Sequence, residues 1–139
     1  MIVVGICLVA WAALFLNGLL LEKKHAYYAW EAHFPTLGTL ASPAAADLTG
    51  DGVLDIVVGA GGAPFAASDS AVLALDGADG RLLWVAAAEA QLFGRPVFLE
   101  LTGDATPDVL MAGRRAQLLA VDGATGDVLW RYRTQDTVV

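Results

Sequence analysis

Asp47, Thr49, Asp51 and Asp55 place side-chain oxygens at positions 1, 3, 5 and 9 of one stretch, Asp47-Leu48-Thr49-Gly50-Asp51-Gly52-Val53-Leu54-Asp55. Alternate residues of a tight loop converge on one point, and calcium takes about six to eight oxygens in a flexible cage. Gly50 and Gly52 supply backbone that turns left-handed without strain. Three carboxylates this close repel one another unless a cation sits between them. The competing reading is an acidic, solvated turn; the spacing and the two glycines favour a Ca2+ site. A second copy, Glu100-Leu101-Thr102-Gly103-Asp104-Ala105-Thr106-Pro107-Asp108, keeps the oxygen positions with one methylene more at Glu100. Ala105 replaces the second glycine, where a left-handed residue costs about 1–2 kcal/mol, and Pro107 stiffens the loop. A weaker calcium site is expected there.

A second pair of motifs is built for packing rather than chemistry. Ala74-Leu75-Asp76-Gly77-Ala78-Asp79-Gly80-Arg81-Leu82-Leu83-Trp84 and its counterpart Ala120 to Trp130 each join an Asp-Gly turn to a tryptophan. Asp caps such a turn, Gly closes it, and the ring of Trp covers a neighbouring surface. Burying a ring of that size removes roughly 150–250 Å² from water, worth about 4–6 kcal/mol.

The elements that must position these residues repeat. The LTGD cores begin at Leu48 and Leu101, 53 residues apart, and the tryptophans Trp84 and Trp130 are 46 apart. The difference is absorbed by Gly59 to Ser70, rich in Gly, Ala and Ser, which is expected to be loop. Ile56-Val58 and Val109-Met111 read as short buried strands. Val72-Leu75 and Gln117-Val121 read as a second strand, and Arg81-Trp84 and Asp127-Trp130 as a third. Four-stranded units with a period in the forties are the pattern of propeller blades.

The segment Ala46-Asp47-Leu48-Thr49-Gly50-Asp51-Gly52-Val53-Leu54-Asp55-Ile56-Val57-Val58-Gly59 resembles the FG-GAP or VCBS-type repeat of integrin-like propellers, over about 43–62 and less closely over 98–113. The resemblance implies calcium ligands at Asp47, Thr49, Asp51 and Asp55 with the carbonyl of Val53, and at Glu100, Thr102, Asp104 and Asp108 in the second loop. The tryptophan turns resemble the docking motif of quinoprotein-type (PQQ-like) propellers. The second copy matches it fully at Ala120, Asp122, Thr125, Gly126 and Trp130; in the first, Asp79 stands where Thr is usual. That motif implies a structural role, and its presence does not by itself imply the quinone cofactor.

The front of the chain is of another kind. No charged residue precedes Glu22, so all 23 Asp, Glu, Lys and Arg lie from Glu22 onward. Residues 1–21 as a helix would span about 32 Å, against about 30 Å of hydrocarbon. This predicts a transmembrane helix or uncleaved signal anchor. A cleaved signal peptide is the rival, and it lacks here a basic start and a small-x-small cleavage site. Phe34-Pro35 and Ser42-Pro43 punctuate a linker over 22–42. The formal net charge of −7 and the absence of clustered Lys and Arg argue against nucleic acid. Cys7 is the only cysteine, so no internal disulfide and no cysteine-based zinc site is available. His25 and His33 are the only histidines, and no nucleophile elbow, phosphate loop or His-metal spacing is present.

The fold expected is all-β: a partial β-propeller of about two four-stranded blades, at 43–95 and 96–139, behind an N-terminal transmembrane helix. The function expected is a non-enzymatic, calcium-stabilised binding or scaffold module, anchored to the membrane by that helix and lying outside the cytoplasm, where calcium loops of modest affinity fill. Lys23 and Lys24 directly after the span pull the other way under the positive-inside rule. The partner expected is a protein or carbohydrate of unknown identity. The alternative is a fragment of a quinoprotein-like enzyme, or an accessory domain of a larger membrane protein. About 97 residues follow Ser42, enough for two blades, whereas closed propellers have about four to eight. Further blades from a longer chain or from an oligomer are therefore expected.

Overall fold

The structure, a computed structural model, describes residues 29–35, 37–61 and 66–133. The chain divides into two compact units, Met1–Glu31 and Ala32–Val139, and the architecture that follows belongs to the second. The transmembrane helix expected over 1–21 lies outside the described residues. Among the described residues no helix is long and apolar enough to cross a membrane.

The second unit is all-β. Strands β1 (Ala44–Ala46), β2 (Asp55–Gly59), β3 (Ser68–Leu75) and β4 (Leu82–Ala88) form one antiparallel sheet in chain order. Strands β5 (Val97–Leu99), β6 (Asp108–Gly113), β7 (Gln117–Val121) and β8 (Val128–Arg133) form a second sheet of the same order. Two four-stranded meanders of this kind are consecutive propeller blades. The short first strands, too brief to stand out by periodicity, are held by register: Ala44 opposite Val57 in one blade, Val97 opposite Leu110 in the other.

Small and β-branched side chains explain why β3 and β7 lie deepest. Ala71 to Leu75 are buried without interruption, as are Leu119 to Val121, because both are flanked by strands and covered on each face. The insertion read as loop through Ser70 is shorter than expected. Ser68, Asp69 and Ser70 extend β3, and Ser68 pairs with Ala88 across an irregularity in register. The polar character of these residues hides a strand whose backbone is nonetheless paired.

The sheets share one apolar core in which Val57, Val72, Val109, Met111, Leu119 and Val121 meet. The connection from β4 to β5 tightens the join. Leu92 forms a bridge with Gly113, the Gln91 carbonyl accepts from the Arg114 N–H at 3.0 Å, and Leu92 is fully buried.

Candidate functional site

The first acidic loop joins β1 to β2. Asp47 sits at its start and turns its carboxylate back on its own backbone: Oδ1 accepts from Gly50 N–H at 2.7 Å and Oδ2 from Gly52 N–H at 2.9 Å. Asp51 Oδ1 accepts from Val53 N–H at 2.7 Å. Gly50 and Gly52 both have positive φ, 74° and 85°. Thr49, Asp51 and Val53 are exposed.

Asp55 behaves differently. It is fully buried; Oδ2 accepts from Leu48 and Thr49 N–H at 2.8 and 3.1 Å, and Oδ1 from Gly77 N–H at 2.9 Å. A buried carboxylate is tolerated only when its lone pairs are met, and three backbone donors meet them. Asp55 thus fastens the β1–β2 loop to the β3–β4 turn. Gly77 is required by the closeness of that contact, since a Cβ there would lie 1.9 Å from the Leu54 carbonyl oxygen.

The second loop repeats the arrangement. Asp108, fully buried, accepts from Leu101 and Thr102 N–H at 2.6 and 3.0 Å and from Gly123 N–H at 3.1 Å. Glu100 Oε1 accepts from Gly103 N–H at 2.5 Å, and Asp104 Oδ1 from Thr106 N–H at 2.8 Å. Ala105 takes the left-handed conformation its position demands, with φ 71°.

These positions test the fit of calcium. In the first loop Thr49 and Asp51 are exposed and Asp47 is half-buried, in the second Glu100, Thr102 and Asp104 are exposed, and the ninth residue, Asp55 or Asp108, faces backbone donors in the interior. Among the described residues no three carboxylate, histidine or cysteine side chains are gathered closely enough to hold a metal ion. Sequence spacing singles out the ninth residue as a calcium ligand, and gives no sign that it accepts from a glycine 22 residues away in blade 1 and 15 away in blade 2.

The tryptophan turns form the contact between blades. Trp84, at the start of β4's buried stretch and 7% exposed, donates its indole N–H to the Gly123 carbonyl at 2.8 Å. Its ring lies on Gly126, where a Cβ would stand 2.8 Å from Trp84 Cβ and Cγ and where φ is 81°. Only glycine meets both conditions. The turns themselves are alike: Gly80 N–H to Asp76 carbonyl at 2.8 Å, and Gly126 N–H to Asp122 carbonyl at 2.9 Å. Asp79 replaces the usual Thr without loss, because its Oδ1 accepts from Arg81 N–H at 2.9 Å as Thr125 Oγ1 accepts from Asp127 N–H at 3.2 Å. In the first turn Arg81 also pairs with Asp76 Oδ2, at 2.7 Å. The Ala78 N–H on Oδ1, at 2.8 Å, and the Arg81 guanidinium hold the Asp76 carboxyl below its ordinary value, against the opposing effect of burial.

Trp130, the repeat equivalent of Trp84, is 41% exposed, and Leu129 and Tyr132 beside it are exposed as well.

No curated protein and no solved structure matches the chain. The family model described as outer membrane protein assembly factor BamB, a PQQ-type repeat, matches residues 29–139. It carries the quinoprotein-type likeness of the tryptophan turns and not the FG-GAP likeness of the acidic loops. With two four-stranded blades joined through a docked tryptophan, and a match over most of its length, the chain belongs to the BamB-like family of PQQ-type β-propeller repeats.

Proposed function

We propose that the chain is a non-catalytic binding or scaffold segment of a β-propeller, held at the outer face of a membrane by its apolar front end, and that its second blade docks onto a further blade. One contrast carries this reading: Trp84 is covered by the Gly123–Gly126 turn of the next blade, whereas Trp130 occupies the same place in its own blade and stands open to solvent. An exposed indole on a strand that also exposes Leu129 and Tyr132 is costly to leave in water. The matching family is described as a protein assembly factor, which favours a binding role over catalysis.

Calcium belongs to the same proposal on narrower ground. Asp47, Thr49 and Asp51 would supply its ligands at the first loop, with the Val53 carbonyl, once Asp47 and Asp51 turn from the backbone N–H groups of Gly50, Gly52 and Val53 from which they now accept. Binding would then take the place of hydrogen bonds that already hold the outer loop, while Asp55 serves the interior.

Fluorescence quenching and sedimentation of the full chain in detergent micelles test the docking. Alone, the chain should show a quencher-accessible tryptophan signal to which the half-buried Trp30 also contributes and which W130F diminishes, and it should associate through that surface when further blades are supplied. A clean monomer with a cooperative melt and no response to added blades would defeat the reading.

A further inference from the structure

Blade 2 departs from blade 1 at a set of positions that come together in space. At an offset of 46 residues, Ala71, Val85, Ala86 and Ala87 of blade 1 correspond to Gln117, Arg131, Tyr132 and Arg133 of blade 2. The register confirms the equivalence: Leu73 pairs with Val85 as Leu119 pairs with Arg131, and Val72 with Ala86 as Leu118 with Tyr132. Four apolar positions of one repeat are thus polar or aromatic in the next. With Glu89 they line a cavity of about 220 Å³.

Gln117 is the informative member. It is 4% exposed, and neither Oε1 nor Nε2 has a hydrogen-bond partner. A buried amide left unmet is costly, and folded proteins rarely keep one. The cavity beside it has room for several times the roughly 30 Å³ that a water occupies in the liquid. The charges around it are unequal. Arg133 is ion-paired with Glu89, whereas Arg131 reaches the neutral carbonyl of Ala87 at 3.2 Å. One guanidinium charge therefore faces the cavity without a carboxylate to match it among the described residues.

We infer that this cavity binds a carboxylate bearing an adjacent N–H or O–H donor. The carboxylate oxygens accept from the Arg131 fork and, once the Gln117 amide, closed to solvent as it stands, turns toward the cavity, from Gln117 Nε2, while the neighbouring donor of the ligand meets Gln117 Oε1. A plain anion would leave that oxygen unmet, so the pair of atoms on Gln117 selects for the second group. The same chemistry occurs in a free α-hydroxy acid and at the carboxyl terminus of a peptide. The site depends on blade 2 and the end of β4, and not on how many blades complete the ring.

The test uses the full chain in detergent micelles with glycolate, acetate, and a short peptide in free-carboxyl and amidated forms. Chemical shifts of the Gln117 side-chain amide report occupancy, and calorimetry reports affinity. Glycolate should shift that amide saturably and bind about tenfold or more tightly than acetate, the worth of one charge-assisted or buried hydrogen bond. R131Q should abolish the response, R95Q should leave it unchanged, and Q117L should fold and lose it. Preference for the free-carboxyl peptide would identify a protein terminus as the source, and preference for glycolate a small acid; both uphold the site. Failure of every carboxylate to bind, equal binding of glycolate and acetate, or binding that survives R131Q would overturn it. R131Q keeps the test decisive even if Q117L does not fold.

Discussion

Trp84 reaches 39 residues along the chain to donate its indole N–H to the carbonyl of Gly123. The same glycine gives its own N–H to Asp108. One residue therefore receives both motifs of the sequence: the end of the acidic loop of blade 2 and the docking ring of blade 1. Trp84→Ala should cost about 3–5 kcal/mol, the usual range for a buried tryptophan. Trp130→Ala should cost less, about 1–3 kcal/mol in the isolated chain, because 41% of that residue is already in water. Urea denaturation of the two variants would check the ranking, and equal losses would contradict it.

The acidic residues should separate into two classes. Asp55→Ala leaves three backbone donors without a partner, and hydrogen bonds to a charged group are worth about 1.5–3 kcal/mol each before relaxation. A loss of about 3 kcal/mol or more is expected whether or not calcium is present. Asp51→Ala removes one exposed bond to Val53 N–H and should cost less than about 1 kcal/mol in chelator. If calcium binds the outer loop as proposed, it should raise the melting temperature of the wild type and not of Asp51→Ala. Asp104→Ala should diminish the response less. Thermal melts with calcium and with chelator would decide it; an equal calcium response in wild type and Asp51→Ala would remove the metal from the proposal.

Ala105 offers a gain. Its φ of 71° is one that glycine adopts freely, and the equivalent position in blade 1 is Gly52, at 85°. A left-handed non-glycine residue costs about 1–2 kcal/mol, partly offset by the greater chain entropy of glycine when unfolded. Ala105→Gly should stabilise the chain by about 0.5–1 kcal/mol in urea titration. A loss of stability would mean that the alanine methyl makes a contact worth more than the strain.

The repeats and their turns are legible in the amino-acid sequence. The blade count follows from the spacing of Trp84 and Trp130, and the left-handed turn at Ala105 from its alignment with Gly52. The partners of the buried acids are not legible there. Asp55 and Asp108 sit at the ninth place of a calcium-like loop, and nothing local distinguishes a metal ligand from a carboxylate capped by distant backbone. That depends on Gly77 and Gly123, which adjoin them only after the hairpins fold. Gln117 is hidden for a related reason: it lies inside an apolar strand pattern, and its unmet amide emerges only once β7 is buried beside β8.

Acid should reveal the first tryptophan turn. Asp76 is 4% exposed, and its carboxyl is held below the ordinary value chiefly by the Ala78 N–H, with burial opposing and the Arg81 guanidinium assisting. A carboxylate lowered in this way favours the folded state above its unfolded pKa, about 3.9. That contribution fades as pH falls through the lower folded value, because the unfolded chain takes up the proton first. Asp76→Asn cannot titrate, so it should melt below the wild type at pH 6, with the gap narrowing on acidification below about pH 4. Other carboxylates are common to both chains, and the difference between the curves isolates this one. Calorimetry from pH 6 down to the acid transition provides the measurement. Parallel curves for wild type and Asp76→Asn throughout that range would show that the turn draws no stability from the charge on Asp76.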